Sequence, residues 1–309
     1  MIDLSIIIVS FNTKKLTKAC IESVVKNTKK IKYELVLIDN ASVDGSMEEI
    51  ERSIKSIKSK DIGGLLIQNK KNLGFGEANN QGMKVAKGKY ILLLNSDTIV
   101  ENNVLGEMIV WMDKNPKVGI ASCALKNLDG TMQGTGGYFP TLMRVFSWMT
   151  IQDIPFVDKF IKPFHPMRSQ SPIKGDSFFE KEKELDWVTG AFFLFQREVY
   201  RQVGNFDKDY FMYTEETDYC FRAKKKGWKV YYLPQWSIKH IGGASGKSWS
   251  YIISEYKGVK LFYKKHYPKW QYPFLRVLLK IGSLGRIIVH GLLHGKEAIK
   301  VYAKAFKMA

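Results

Sequence analysis

Tyr90-Ile91-Leu92-Leu93-Leu94-Asn95-Ser96-Asp97-Thr98 decides the fold. Tyr90–Leu94 is a nearly pure apolar run, the kind that lies inside a parallel sheet with both faces covered. It stops abruptly in a polar triplet carrying one carboxylate. The same unit recurs on either side. Upstream, Leu4–Val9, Glu34–Ile38 and the short Leu65–Gln68 read as strands. Between them, Leu16, Ala19, Cys20, Ser23 and Val24 share one helical face. Met47, Ile50, Ile54 and Ile57 follow a capping box of Ser46 and Glu49, and Gly76–Ala86 reads as a third helix stopped at Gly88. Downstream come a helix at Val104–Asp113 and a strand at Val118–Cys123.

Strands separated by helices imply βαβ units with right-handed crossovers. The fold class is therefore α/β, with a mostly parallel central sheet flanked by helices. Ligands of such sheets bind beyond the carboxyl ends of the strands. That rule singles out Ser10–Asn12, Asp39–Ser42, Asn69–Gly76 and Asn95–Thr98, all rich in polar and small residues.

The chain has 309 residues, 45% of them apolar, which is enough to bury one large core or two modest ones. Its net charge of +18 suits anionic membrane, nucleic acid or phosphorylated substrates, as well as plain solubility. Cys20, Cys123 and Cys220 show no CxxC spacing, which argues against a disulfide framework or structural zinc and for a reducing compartment. The N-terminal MIDLSIIIVSFN lacks a basic leader and reads as a strand rather than a signal peptide. No run of 18 uncharged apolar residues occurs, so no transmembrane span is expected.

Between Asn127 and Glu184 periodicity gives way to glycines and prolines, the pattern of a functional loop or lid. Order resumes with Trp187–Gln196, a helix at Arg197–Val203, a further helix ended by Gly227, and a strand at Lys229–Leu233 before Pro234. From Lys264 to Ala309 the chain holds ten Lys or Arg and one acid, Glu297, among apolar residues from Phe274 to Leu293. This reads as a basic interfacial helix or helix pair for an anionic membrane, with Arg276, Lys280 and Arg286 placed to snorkel. A packed C-terminal helix and a homodimer contact fit the same letters. The expected organisation is residues 1–263 as one domain of two halves, 1–125 and 126–263, followed by a tail at 264–309.

Four stretches carry candidate chemistry. Asp97 at a strand end suits Mg²⁺ or Mn²⁺ clamped against a diphosphate, since these ions take oxygen ligands; a turn capping the next helix fits equally. Glu215, Glu216 and Asp218 crowd three acids into four residues, which raises a carboxylate's pKa towards that of a general base. Acids in a first helical turn also stabilise by ~0.3–1 kcal/mol each, and the two readings are compatible. His240, followed by Gly242, Gly243, Ser245 and Gly246, reads as a metal ligand beside a phosphate nest, or as a structural histidine. The GxG of Gly74 and Gly76 lacks the third glycine of a dinucleotide fingerprint.

In this order and on this framework, SIIIVSFN, VLIDNASVDGS, NLGFGEANNQG, YILLLNSDT, DWVTGAFFLFQREVYRQVGNFDKDYFMYTEETDYCFRAKKKGW and HIGGASG resemble the inverting family 2 glycosyltransferases of GT-A fold. The rhamnosyltransferase-like branch is the nearest, and the resemblance runs from Leu4 to Gly246. It implies that Ser10 and Asn12 line the nucleotide pocket, that Asp39 reads the pyrimidine with Asn40 and Ser42 beside it, and that Asn72, Gly74 and Asn79 shape the floor. Asn95-Ser96-Asp97 stands where the family has its DXD motif, its first acid replaced by Asn, leaving Asp97 as the metal contact with His240. Trp187, Thr189 and Gly190 face the donor sugar and acceptor. Glu215-Glu216 matches the family's acidic pair, with Glu216 the favoured base over Glu215.

The resemblance further implies transfer from a nucleotide diphosphate sugar, dTDP-rhamnose first and a UDP-hexose or UDP-N-acetylhexosamine as the alternative. The acceptor would be a hydroxyl of a glycan or lipid-linked molecule in cell-surface polysaccharide synthesis, reached from the cytoplasmic face of the membrane as a peripheral protein. A non-enzymatic binder of anionic polymers is the rival reading. Against a nucleic-acid partner, the basic excess is heaviest in the tail, while the acids cluster where catalysis needs them.

Overall fold

The computed structural model describes residues 1–58, 62–152, 154, 157–166, 176–242 and 250–309. Strands β1 (Leu4–Ser10), β2 (Tyr33–Asp39), β3 (Gly63–Gln68) and β4 (Tyr90–Asn95) run parallel in the order β3-β2-β1-β4. Helices α1 (Lys14–Asn27), α2 (Ser46–Lys58) and α3 (Phe75–Val85) make the crossovers. Registers pair Ser10 with Asp39, Asp39 with Gln68 and Val9 with Asn95. The carboxyl ends are therefore level, and the polar stretches that follow them converge on one edge.

Alternate residues of each strand feed opposite faces of the sheet, as a pleat requires. Ile7, Val36, Ile91, Leu93, Phe193 and Phe195 pack on one face, and Ile6, Ile8, Leu35, Leu37, Leu92 and Leu94 on the other. Both faces are covered, which is why the strands read as continuous apolar runs.

Beyond β4 come β5 (Thr98–Ile99), α4 (Val104–Lys114), β6 (Val118–Lys126), β7 (Gly136–Gly137), α5 (Leu142–Met149) and α6 (Val157–Phe160). Next are β8 (Lys183–Leu185), β9 (Trp187–Val188), β10 (Phe192–Gln196), α7 (Arg197–Val203), α8 (Glu215–Lys225) and β11 (Lys229–His240). The chain ends in α9 (Ser250–His266), α10 (Gln271–His294) and α11 (Lys296–Met308). β10 inserts antiparallel between β4 and β6. β11 runs parallel to β6, and its far end pairs antiparallel with β5.

Several local expectations are corrected. β11 does not end before Pro234. A register shift between Leu233 and Ser237 carries it past the proline, which cannot donate to the ladder, and on to His240. Ser46 and Glu49 form no capping box. Ser46 donates its N–H (3.0 Å) and its hydroxyl (2.5 Å) to Asp44 Oδ1, because a carboxylate is the stronger acceptor. Glu49 turns instead to Lys18 and Arg52, 3.4 Å from each.

The tail is helical and packs on the body. Leu275 and Leu279 are fully buried, and Tyr256 shares a 3.0 Å hydroxyl bond with Ser283. Arg286, expected to snorkel, points inward: its guanidinium lies 5.0 Å over the Trp148 ring and donates to the Trp148 carbonyl at 2.8 Å, where α5 ends. Arg276 donates to the Ala309 carbonyl at 2.8 Å. α10 is also long and apolar enough to cross a membrane by length and composition alone. Counting uncharged residues missed this because Arg276, Lys280 and Arg286 interrupt the run.

Candidate active site

The β4–β5 turn and the end of β11 meet at one corner. Thr98 pairs with His240, and the Ile241 N–H donates to the Asp97 carbonyl at 2.9 Å. This brings His240 Nε2 within 3.3 Å of both Asp97 Oδ1 and the Asn95 amide nitrogen. Gln133 settles the imidazole tautomer. Its amide nitrogen donates to the His240 carbonyl and to Asn127 Oδ1, each at 2.6 Å. Its oxygen must then be the atom 2.7 Å from His240 Nδ1, so Nδ1 carries a proton, and in the neutral ring Nε2 is left with the lone pair. A carboxylate oxygen and an imidazole lone pair side by side fit a divalent cation such as Mg²⁺ or Mn²⁺. Among the described residues no group of three His, Cys, Asp or Glu could hold a metal, so donor phosphates and water would complete such a site. The capping alternative for Asp97 does not hold, because the N-cap of α4 is Asn103.

The nucleotide side is built from the first strand ends. Asp39 Oδ2 accepts the Ser42 N–H at 3.1 Å, while Oδ1 is buried with no hydrogen-bond partner among the described residues. Asn12 and Ala41 hold positive φ angles of 54° and 68°. The Asn12 N–H donates to the Ser42 hydroxyl, and its side-chain oxygen accepts from the Val43 N–H. Asn40 braces the next loop, donating to Asn72 Oδ1 at 2.9 Å and accepting from Asn69 and the Leu73 N–H. Ser10 does not line the pocket with its side chain. It is fully buried at the end of β1, bonded to Thr13 and Thr17, and Thr13 in turn meets the Ser96 hydroxyl at 3.0 Å. Asn79 is likewise buried, its amide tied to the Phe75 carbonyl, and supports the floor from beneath.

Gly74 needs its missing side chain. Its φ is +81°, and a Cβ there would sit 2.3 Å from the Phe211 carbonyl, whose oxygen accepts the Phe75 N–H. This contact docks the GxG loop against the segment leading to the acidic cluster. Tyr213 and Thr214, consecutive and at φ 68° and 75°, then turn the chain into α8. Strain of this kind persists only where its surroundings enforce it.

Glu215 is buried beneath Gly76, and burial followed by the Glu216 charge pushes its pKa well above the carboxylate range. Glu216 is only partly buried, and its pKa is pushed up to about 7. Burial is the main cause. Its own N–H, His165 and the Gly190 N–H pull it down, and Glu255 raises it. Asp218 has a different use: fully buried, it pairs with Arg222 at 2.8 Å and His266 at 2.6 Å.

The loop ahead of β10 joins the two sides. Thr189 donates its N–H to the Thr135 carbonyl, and the Ala191 carbonyl accepts the Asn95 N–H at 3.0 Å. A Cβ on Gly190 would strike the Phe75 ring at 2.8 Å. The Tyr213 phenol is raised first by burial and further by the charges of Glu215, Glu216, Glu255 and Asp97. Trp187 lies buried beside His165, ring centres 5.2 Å apart. Gly243, Ser245 and Gly246 lie outside the described residues. Sequence reasoning missed Gln133, His165 and Glu255, which carry no motif spacing; a lone histidine among prolines was the only available signal.

The family model for "Glycosyl transferase family 2" matches residues 5–204. The N-acetylglucosaminyl-diphospho-decaprenol L-rhamnosyltransferase of Mycobacterium tuberculosis is 24% identical over 264 residues, covering 81% of this chain and 80% of that protein. Rhamnosyltransferase WbbL of Escherichia coli is 24% identical over 182 residues, 57% of this chain and 63% of its own. Two solved structures share the fold. Mannosyltransferase PcManGT from Pyrobaculum calidifontis, in complex with GDP-Man and Mn²⁺, gives a TM-score of 0.55 at 14% identity, covering 99% of this chain and 74% of its own. GalNAc-T7 with UDP, GalNAc and Mn²⁺ gives 0.63 at 17% identity, covering 99% and 55%. The sheet order, the level strand ends and the family match agree: the chain belongs to glycosyl transferase family 2 and is a glycosyltransferase of GT-A fold.

Proposed function

We propose that the enzyme transfers rhamnose from dTDP-rhamnose, with inversion, onto a hydroxyl of a lipid-linked glycan. The observation that carries this reading is the corner that sets His240 Nε2 3.3 Å from Asp97 Oδ1, with the Ala191 carbonyl tying the loop ahead of β10 to Asn95 and Glu216 standing at the head of α8. Asp97 and His240 would hold Mg²⁺ or Mn²⁺, which supplies charge stabilisation to the departing diphosphate. Glu216 takes the proton of the acceptor hydroxyl as that oxygen bonds to the anomeric carbon. The bond from that carbon to the nucleoside diphosphate breaks with its electron pair. Trp187, Thr189 and Gly190 bound the space between donor and acceptor. The unpartnered Asp39 Oδ1 would accept the imide N–H of thymine or uracil, so it suits dTDP and UDP donors alike. Rhamnose is favoured by the two relatives named as rhamnosyltransferases, and one of those names specifies a diphospho-decaprenol acceptor. A UDP-hexose or UDP-N-acetylhexosamine is the alternative donor.

A thermal-shift panel tests the reading. dTDP-rhamnose, UDP-glucose, UDP-galactose and UDP-N-acetylglucosamine are each added with Mn²⁺, with Mg²⁺ and with chelator. Selective, metal-dependent stabilisation by dTDP-rhamnose is expected. Stabilisation by a UDP sugar alone would replace the donor, and none by any donor would overturn the reading.

An anionic membrane surface is the proposed site of the acceptor. Trp270 at the N-cap of α10 and Phe274, Val277, Ile281, Leu284, Ile288 and Leu292 along it recur at helical spacing and are all about half exposed or more. On α11, Lys296, Lys300 and Lys304 form an exposed basic row. Such a combination binds in the interface plane of anionic bilayers. Because α10 packs on the body, the test keeps the full chain. V277Q/I281Q/I288Q is expected to weaken flotation on phosphatidylglycerol vesicles by roughly tenfold or more, as ~1.5–3 kcal/mol attends burial of each aliphatic side chain. Undiminished flotation would refute the membrane role, and a dimer dissociated by the same substitutions would assign the stripe to a second copy.

A further inference from the structure

We propose that Tyr213 and Tyr251 form the walls of a subsite that stacks one pyranose ring of the acceptor, with Glu255 and the Trp187 indole N–H bonding its polar groups; this rests on the reading of the acceptor as a glycan attacked beside Glu216. The two tyrosine rings stand 6.5 Å apart at 63° to one another and make an open corner. They are 42% and 43% exposed. Exposed aromatics set side by side mark a binding surface, whereas scattered ones do not. Their placement is enforced. Tyr213 and Thr214 hold left-handed φ angles, and α9 presses on that turn so closely that a Cβ on Gly258 would sit 2.2 Å from Thr214 Oγ1. Tyr251, Glu255 and Gly258 recur at i, i+4 and i+7, which puts them on one face of α9. The face that locks the turn therefore also brings Tyr251 against Tyr213.

The place of this corner relative to the base follows from the chain. Tyr213 stands three residues before Glu216, in the turn that opens α8. β9, which carries Trp187, packs on the same helix. Trp187 Nε1 is buried with no hydrogen-bond partner among the described residues, so its N–H is a donor still to be matched. Its ring centre lies 5.2 Å from that of His165, whose Nε2 is 2.5 Å from Glu255 Oε1. Glu255 is thereby anchored, and an anchored carboxylate accepts hydroxyl hydrogens with little further loss of side-chain freedom. The C–H groups on one face of a pyranose carry slight positive charge and suit the negative faces of aromatic rings, while its hydroxyls need fixed polar partners. The nucleotide and the metal are served by the strand ends and β11. This corner is built from α9 and the turn ahead of α8, which assigns it to the acceptor.

Saturation-transfer NMR on the full chain, without donor or metal, tests the subsite. The probes are glucose and N-acetylglucosamine 1-diphosphates esterified with octanol. Saturation is expected on the sugar ring protons, and Tyr251→Ala and Tyr213→Asn should each weaken binding by about three- to tenfold, the size of one aromatic contact. Asn tolerates the left-handed backbone that Tyr213 adopts. Tyr251→Phe keeps the ring and should bind like the parent. Saturation confined to the octyl protons would overturn the proposal in favour of a lipid groove. Binding unchanged in both ring-deleted variants, or as weak in Tyr251→Phe as in Tyr251→Ala, would overturn it too. In turnover the acceptor KM should rise in Tyr251→Ala while the donor KM stays put. The binding test needs no donor, so ring-dependent sugar binding by a protein that turns over no nucleotide sugar would overturn the catalytic reading and keep the subsite. Turnover with an unmoved acceptor KM in both ring-deleted variants would overturn the subsite and keep the catalytic reading.

Discussion

Asp97→Ala is expected to lower sugar transfer by ~10²–10³-fold and to abolish its dependence on divalent metal, the range found when one preorganised stabiliser of developing charge is removed. The fold should survive. The contact that closes this corner is backbone to backbone, from the Ile241 N–H to the Asp97 carbonyl, and the Thr98–His240 pairing does not involve the carboxylate. The loss should therefore appear in two readouts that a merely unfolded variant could not mimic. Mn²⁺ should no longer add to the stabilisation given by the nucleotide, whereas the nucleotide alone should still bind through the Asp39 side of the cleft. His240→Ala should act in the same direction, because it removes the lone pair that Gln133 orients. Gln133→Leu should act more weakly, since it frees the tautomer without deleting a ligand. Metal-dependent stabilisation retained in both Asp97→Ala and His240→Ala would place the cation elsewhere and dismantle this half of the site.

The framework was legible because physics repeats itself along it. A sheet buried on both faces demands continuous apolar strands, and level strand ends place the polar stretches together, so Asp39, Asn72 and Asp97 could be picked out before any coordinates. Three things were not legible. An apolar run has no direction, so nothing in Phe192–Gln196 announces that β10 enters antiparallel. The eight residues of α5 sit in a stretch dominated by glycine and proline, where one short amphipathic pattern is drowned. The polar contacts of Gln133, His165 and Glu255 span large sequence separations, 107 residues in the case of Gln133 and His240, and arise only once α9 and β11 have docked. The residues misread in the tail share this cause. Arg286 looks like a solvent-facing cation until α5 supplies a carbonyl and an indole to receive it.

Glu216→Gln is expected to reduce transfer by ~10²–10⁴-fold, the usual contribution of a general base, while making the protein more resistant to heat at pH 8. The two effects have one origin. Burial lifts the folded-state pKa of Glu216 from its ordinary 4.5 to about 7, so the fold prefers the protonated carboxyl. The sign follows by linkage: this group's stabilisation is full below pH 4.5 and is lost as pH rises through about 7, because ionisation then places a charge where water is scarce. Glutamine has no such charge. The melting temperatures of E216Q and the parent should coincide near pH 4.5, diverge through neutrality and stay apart above it. Parent turnover should rise over the same interval, since only the carboxylate can accept the acceptor's proton. Glu215→Gln discriminates between the neighbours. Glu215 is more deeply buried beneath Gly76, and burial raises its pKa well above the ordinary carboxylate value, which disfavours the charged form a base needs, so its replacement should spare most of the activity. If Glu215→Gln were the inactive variant and Glu216→Gln the active one, the base would be Glu215.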